Sequence, residues 1–140
     1  MATVFTMIID GDLPGRFVWK DERCVAFLSI NPLSPGHTLV VPREPIDHWL
    51  DLPEDLRSHL FNVAHSIGRA IESAWNPQKV GLIIAGLEVP HAHIHVSAVN
   101  AERDLDFSNA AADPDPSSLD DAAQRIRQTL RTQGHEAVAD

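Results

Sequence analysis

The chain has a single cysteine, Cys24, so no internal disulfide can close. That thiol lies in the apolar run Cys24-Val25-Ala26-Phe27-Leu28 and reads as a small buried core group. No apolar run approaches membrane-spanning length, so no membrane partner is expected. Met1-Ala2-Thr3-Val4 lacks the basic region and cleavage pattern of a secretory signal, and a cytoplasmic protein is the expectation. Cationic side chains are scarce: 11 Lys and Arg stand against 20 Asp and Glu, a formal charge of −9. That balance argues against a nucleic-acid partner, which needs clustered Lys and Arg. It leaves room for one small anion held by backbone N–H groups and a few imidazoles. Low-complexity tracts and internal repeats are absent too. The 140 residues suffice for one domain with its own core.

What the chain does have is a row of histidines, His91-Ala92-His93-Ile94-His95-Val96-Ser97. Its flanks, Leu82-Ile83-Ile84-Ala85 and Val96 to Val99, favour a strand. Successive side chains on a strand point to opposite faces. His91, His93 and His95 then share one face, and Ala92, Ile94 and Val96 the other. Imidazole is the side chain whose unperturbed proton equilibrium lies nearest neutrality. Such a row suits a metal site, a pH sensor or a catalytic site.

Coarse patterning places this row in a fold. Arg16 to Lys20 and Cys24 to Ser29 read as strands joined by the turn Asp21-Glu22-Arg23. Asn31 to Gly36 is dense in turn residues and reads as an ordered loop. His37 to Val41 follows as a strand, stopped by Pro42, with His37, Leu39 and Val41 on one face. A helix is predicted from about Pro53 to Trp75, with Glu54 and Asp55 at its positive end. Its stripe is Leu56, Leu60, Val63, Ile67, Ile71 and Ala74. Val80 to Ala85 reads as a strand and Ala101 to Pro116 as a polar surface arm. A last helix is predicted over Ser118 to Gln133, with Ser118 and Asp121 at capping-box spacing. The chain therefore reads as an α+β domain with a mainly antiparallel sheet.

Spacing constrains the metal reading. Residues two apart on a strand lie about 7 Å apart and residues four apart about 13 Å. Two of the histidines can share a zinc with bonds of about 2 Å, but three converge poorly. His91 or His95 would need His37 or Glu88 to complete a site. Four other histidines, His48, His59, His65 and His135, have no partner pattern and read as structural or solvated. For the row itself, catalysis accounts for more: neutral imidazole is a nucleophile near pH 7, and its neighbours can bond phosphoryl oxygens or a leaving group.

The pattern His-φ-His-φ-His-φ-φ, with φ apolar, resembles the signature of the histidine triad (HIT) superfamily of nucleotide hydrolases and transferases. Here it spans His91 to Ser97, with Ser97 at a normally apolar place. Val25 to Pro32 and Pro35 to Pro42 resemble the family's strand, loop and following strand, and the similarity runs over about residues 3 to 99. It implies a HIT-like fold with a five-stranded, mainly antiparallel sheet, a central helix and a C-terminal helix. Residues 1–100 would be the HIT core, with 101–140 an arm and helix packed on the same domain.

The resemblance also implies a chemistry. His93 would attack the α-phosphorus of a nucleotide and form a nucleotidyl-histidine that water hydrolyses. The carbonyl of His91 would orient the His93 ring, His95 would contact phosphate or leaving-group oxygens, and His37 matches the family's fourth histidine. By similarity the nucleoside slot is walled by Val4, Phe5, Ile8, Phe27 and Ile30. No cofactor is implied and a homodimer is. Besides Ser97, four places depart from the family pattern. Thr3-Val4-Phe5-Thr6 stands where zinc-bearing members carry Cys-x-x-Cys, so no structural zinc is expected. Ser29 replaces the ribose-gripping Asp or Asn, Leu87 a common Gln, and Glu88 a phosphate-side Ser.

The reading that results is a hydrolase of purine nucleoside phosphoramidates or related conjugates. The alternatives are a dinucleoside polyphosphate hydrolase, a nucleotide-binding module without turnover, and a metal-binding protein.

Overall fold

The computed structural model describes residues 2–140. In chain order the elements are α1 (Val4–Ile9), β1 (Phe17–Lys20), β2 (Cys24–Leu28), β3 (Thr38–Pro42), α2 (Glu54–Trp75), β4 (Lys79–Ile83), β5 (Ile94–Val99) and α3 (Pro116–Thr132). Short 3-10 turns lie at Trp49–Asp51, Glu102–Leu105 and Phe107–Asn109. The five strands form one antiparallel sheet in the order β1-β2-β3-β5-β4.

Alternation on the strands sends side chains to two separate cores. Cys24, Ala26 and Leu28 of β2, Val40 of β3, and Ile94, Val96 and Ala98 of β5 face α2 and α3. There they meet Leu56, Leu60, Val63, Ile67 and Ile71 of α2 and Ile126 and Leu130 of α3. Val25, Phe27, Leu39 and Val41 face the other way, onto Phe5 of α1. Both faces of β2 and β3 are covered, which is why every residue of these strands is buried.

Several elements differ from the sequence reading. The N-terminal segment forms the short helix α1, started by a capping box between Thr3 and Thr6, where the first half reads as strands alone. Six residues carry too little periodicity to announce a helix. The strand expected at His91 begins only at Ile94. His91 and His93 lie on the chain entering it, where the His91 N–H bonds Val89 O and the Ala92 N–H bonds Ile46 O. β4 stops at Ile83, short of Ala85. The last helix starts at Pro116 with Asp115 as its cap, not at Ser118: the Asp115 carboxylate accepts from the Ser117 N–H and Pro116 takes the first turn.

The end of the chain is tied back to β1. The Lys20 N–H bonds Ala137 O and the Ala139 N–H bonds Val18 O. The loop from Asn31 to Gly36 delivers His37 to the sheet. Gly36 has φ +86°, and a Cβ there would lie 2.6 Å from the Trp75 ring at the end of α2. Gly36→Ala therefore combines backbone strain with a clash. It should cost about 1–3 kcal/mol of stability, read as a lowered urea midpoint at unchanged slope.

Candidate active site

Four imidazoles meet where β3, β5 and the entry to β5 adjoin. His37 sits just before β3 and His95 on β5 opposite Leu39. The His93 and His95 ring centroids are 4.8 Å apart and those of His37 and His95 5.1 Å. His37, His91 and His93 are buried and His95 is partly so.

The hydrogen bonds assign each ring a tautomer, because some partners can only donate and others only accept. His93 Nδ1 lies 2.7 Å from the His91 carbonyl oxygen, so it carries the proton and donates. His93 Nε2 is then a bare lone pair, and it makes no hydrogen bond among the described residues. The Leu33 N–H donates to His37 Nδ1 at 3.0 Å, which puts the His37 proton on Nε2. That proton is donated to His95 Nδ1 at 2.9 Å. His95 therefore keeps its proton on Nε2 as a free donor. His91 donates from Nε2 to the Pro42 carbonyl at 2.7 Å and accepts at Nδ1 from the Thr3 hydroxyl at 2.8 Å. The result is a lone pair on His93 beside an N–H on His95.

Burial keeps these rings neutral. It lowers His37 to about 4, helped by the neighbouring His93. It lowers His95 to about 3, with His93 and His37 adding to the effect. Burial also lowers His91 and His93, opposed by their hydrogen bonds to the Pro42 and His91 carbonyls.

The residues expected to wall a nucleoside divide into two groups. Phe5 packs edge-on against Phe27, His91 and His93, with centroids at 5.6, 5.7 and 4.8 Å. Ile8 packs on the same cluster. Val4 and Ile30 are exposed, at 41% and 68%. Ser29 is partly buried and its hydroxyl accepts from the Asn31 N–H. Glu88 is exposed in the loop before the histidines and makes no hydrogen bond or ion pair among the described residues. Ser97, at the normally apolar place, is buried within 3.1 Å of the Ser34 hydroxyl, which itself donates to Ala98 O.

Besides the Pro42 carbonyl, three contributors escaped the sequence reading. Thr3 ties α1 to His91, and only its Thr3-x-x-Thr6 spacing could have signalled it. Leu33 acts through its backbone N–H, which no side-chain pattern reveals. Phe107 brings an aromatic ring to 5.0 Å from His95. Its signal was a lone aromatic in an otherwise polar arm. That arm is held to the loop before His37 by bonds from Asn31 Nδ2 to Ala111 O and from the Ala111 N–H to Pro32 O.

At the Cys-x-x-Cys place, the Thr3 and Thr6 hydroxyls are engaged in the helix start and in His91. Hydroxyls in these roles do not replace a thiolate pair, so the residues there do not fit a zinc ion.

The comparisons identify the family and the fold. The HIT domain family model matches residues 10–101. An uncharacterized HIT-like protein of Methanocaldococcus jannaschii is 34% identical over 100 residues, 66% of this chain and 75% of that one. The adenylylsulfatase HINT3 of Arabidopsis thaliana is 27% identical over 133 residues, 91% of this chain and 67% of that one. Among solved structures, a zinc-bound histidine triad family protein of Mycobacterium smegmatis superposes with a TM-score of 0.80. It is 26% identical, over 95% of this chain and 96% of that one. The chain belongs to the HIT domain family, a nucleotide-binding and hydrolase superfamily with the HIT-like α+β fold seen here.

Proposed function

We propose that the protein hydrolyses or transfers the nucleotidyl group of a purine nucleoside phosphoramidate, or a related nucleotide conjugate, through a covalent intermediate on His93. The observation that carries this reading is the His93 ring, whose Nδ1 is fixed on the His91 carbonyl while Nε2 is left as a lone pair. That lone pair attacks the α-phosphorus. The P–Nε2 bond forms, the bond to the leaving group breaks, and the leaving group takes up a proton from solvent, to which the attacking water later gives one back. Water then attacks the same phosphorus and the P–Nε2 bond breaks, releasing the nucleoside monophosphate and neutral His93.

The other side chains hold this chemistry in place. The His95 Nε2–H donates to a phosphoryl or leaving-group oxygen, and His37 fixes that proton by donating to His95 Nδ1. His91 supports His93 through its carbonyl and is itself held by Thr3 and Pro42. Phe5, Ile8 and Phe27 form the floor of the nucleoside slot, and a bound nucleoside covers Val4 and Ile30. By similarity Ser29 faces the ribose, where its short hydroxyl grips less firmly than a carboxylate, and Glu88 faces the phosphate side.

Two other readings are less well supported. A dinucleoside polyphosphate hydrolase would need cations for the extended phosphate chain, and no Lys or Arg takes part in the hydrogen bonds of the four histidines. A binding-only module draws on Ser29, Leu87 and Glu88, yet a bound-only role does not call for the free lone pair. For the assembly we propose a homodimer through the sheet edge. β4 is an edge strand, and exposed Leu82 on it lines a surface groove with Phe61 of α2. The cytoplasm is the proposed compartment, and no helix of the described residues is long and apolar enough to cross a membrane.

Rapid mixing with adenosine 5′-phosphoramidate, acid quench and intact-mass measurement tests the chemistry. The parent should gain one nucleotidyl group and release AMP. His93→Gly should gain none and lose at least about a thousandfold in kcat/KM. Turnover by His93→Gly at the parent's rate would overturn the mechanism.

The lowered histidines set a pH dependence. Unfolded imidazoles take up protons near pH 6.5, whereas folded His37 does so near 4 and His95 near 3. Between these values the unfolded state binds more protons, so stability is full above about 6.5 and falls as pH drops through 4 toward 3. Urea midpoints measured from pH 7.5 down to 4 should decline accordingly. Since burial lowers His93 as well, the acid limb of kcat/KM should lie below pH 6.5.

A further inference from the structure

A second cluster of chemistry-bearing side chains stands apart from the four histidines, at the turn between β1 and β2. Asp21, Cys24 and His59 place a carboxylate oxygen, a thiol sulfur and an imidazole nitrogen within 4.8 Å of one another. The common point is Asp21 Oδ2, 2.7 Å from His59 Nε2 and 3.5 Å from Cys24 Sγ. Trp19 Nε1–H donates to the same oxygen at 2.8 Å. Asp21 Oδ1 accepts from the backbone N–H groups of Arg23 and Cys24, each at 2.8 Å. Burial alone would raise the Asp21 carboxyl, but these donors outweigh it and hold the group at about 2.

The carboxylate is thus anionic, immobile and oriented, as metal-ligating carboxylates are by their outer partners. Two of its contacts run to groups that become metal ligands when a proton leaves them. One sulfur, one nitrogen and one oxygen make a set suited to a borderline ion and unsuited to Mg²⁺ or Ca²⁺, which take oxygen alone. The cluster borders a surface concavity of about 400 Å³ lined by Asp21, Glu22, Arg23, His59, Glu136 and Ala137. Asp21 and His59 open onto that concavity, which offers a place for a fourth ligand, with Cys24 buried beneath them.

We propose that Asp21, Cys24 and His59 form a binding site for a divalent cation of the zinc type, with the fourth position open to water or Glu136. On binding, the Cys24 thiol proton leaves to solvent and Sγ ligates as thiolate. The His59 Nε2 proton, donated to Asp21 in the free protein, shifts through solvent to Nδ1, and His59 ligates through the Nε2 it leaves. Asp21 ligates through Oδ2, and nothing is oxidised or reduced. Tetrahedral ligation with bonds of about 2.0–2.1 Å sets the O and N ligands about 3.4 Å apart, so His59 must withdraw by less than 1 Å. Its partial exposure on α2 allows that movement. A purely structural Asp21–His59 ion pair would join the turn to α2 without any use for the thiol.

Cobalt(II) titration of the metal-stripped full-length protein tests the site. Cobalt bound to a thiolate gives a sulfur-to-metal charge-transfer band, and Cys24 is the chain's one cysteine, so the band reports this cluster and not the histidine row. One equivalent of cobalt should produce the band, and zinc should displace it. Cys24→Ser should abolish it, His59→Gln should weaken cobalt binding at least tenfold, and His93→Gly should leave it in place. No thiolate band in the parent, or a band of equal affinity in the His59→Gln protein, would overturn the proposal. Because His59 is partly exposed, its variant keeps the test decisive even if Cys24→Ser does not fold.

Discussion

The hydrogen bond from His93 Nδ1 to the His91 carbonyl decides what this arrangement can do. An imidazole free to choose its tautomer would present a proton as readily as a lone pair. A carbonyl oxygen 2.7 Å away removes the choice, because it can only accept. The rest of the structure follows as support for that one bond. The carbonyl is held by the His91 ring, which is anchored at one nitrogen on Pro42 at the end of β3 and at the other on Thr3 at the start of α1. The start of a short helix and the end of a sheet strand thus fix the orientation of an atom between them.

A second chain of bonds sets the neighbouring ring. It begins at the Leu33 N–H and runs through His37 to His95, each link having one possible direction. Its end product is a proton on His95 Nε2, beside the His93 lone pair. Burial makes both arrangements robust near neutrality, since it disfavours the charged imidazolium that would scramble them. The ring nitrogens shut off from water all have partners, since no fully buried side-chain nitrogen or oxygen among the described residues lacks one, and the two that have none, His93 Nε2 and His95 Nε2, keep contact with solvent.

Much of the architecture was legible in the sequence. The α2 stripe and the faces assigned to β3 and the histidine row marked the main core and the order of elements from β1 to α3, because burial periodicity is a strong local signal, whereas α1 and the second core beneath it were not foreseen. The row itself and His37 pointed to one another through the family pattern. What escaped was carried by backbone groups or by distant contacts. The Leu33 N–H and the Pro42 carbonyl have no side-chain signature. Phe107 lies beyond residue 101, where the family match ends, and reaches His95 only because Asn31 and Pro32 hold its arm. The cap of α3 was misplaced because Ser118 offered a familiar spacing while Asp115, followed by Pro116, offered the better geometry.

The tautomers can be read directly. Nitrogen-15 labelled histidine with long-range proton–nitrogen correlation at pH 7.5 reports which ring nitrogen of each residue carries the proton. The structure predicts His93 protonated at Nδ1 alone, and His37, His91 and His95 at Nε2 alone. A His93 ring protonated at Nε2, or present as imidazolium, would contradict the account, for the atom assigned to attack phosphorus would then have no lone pair.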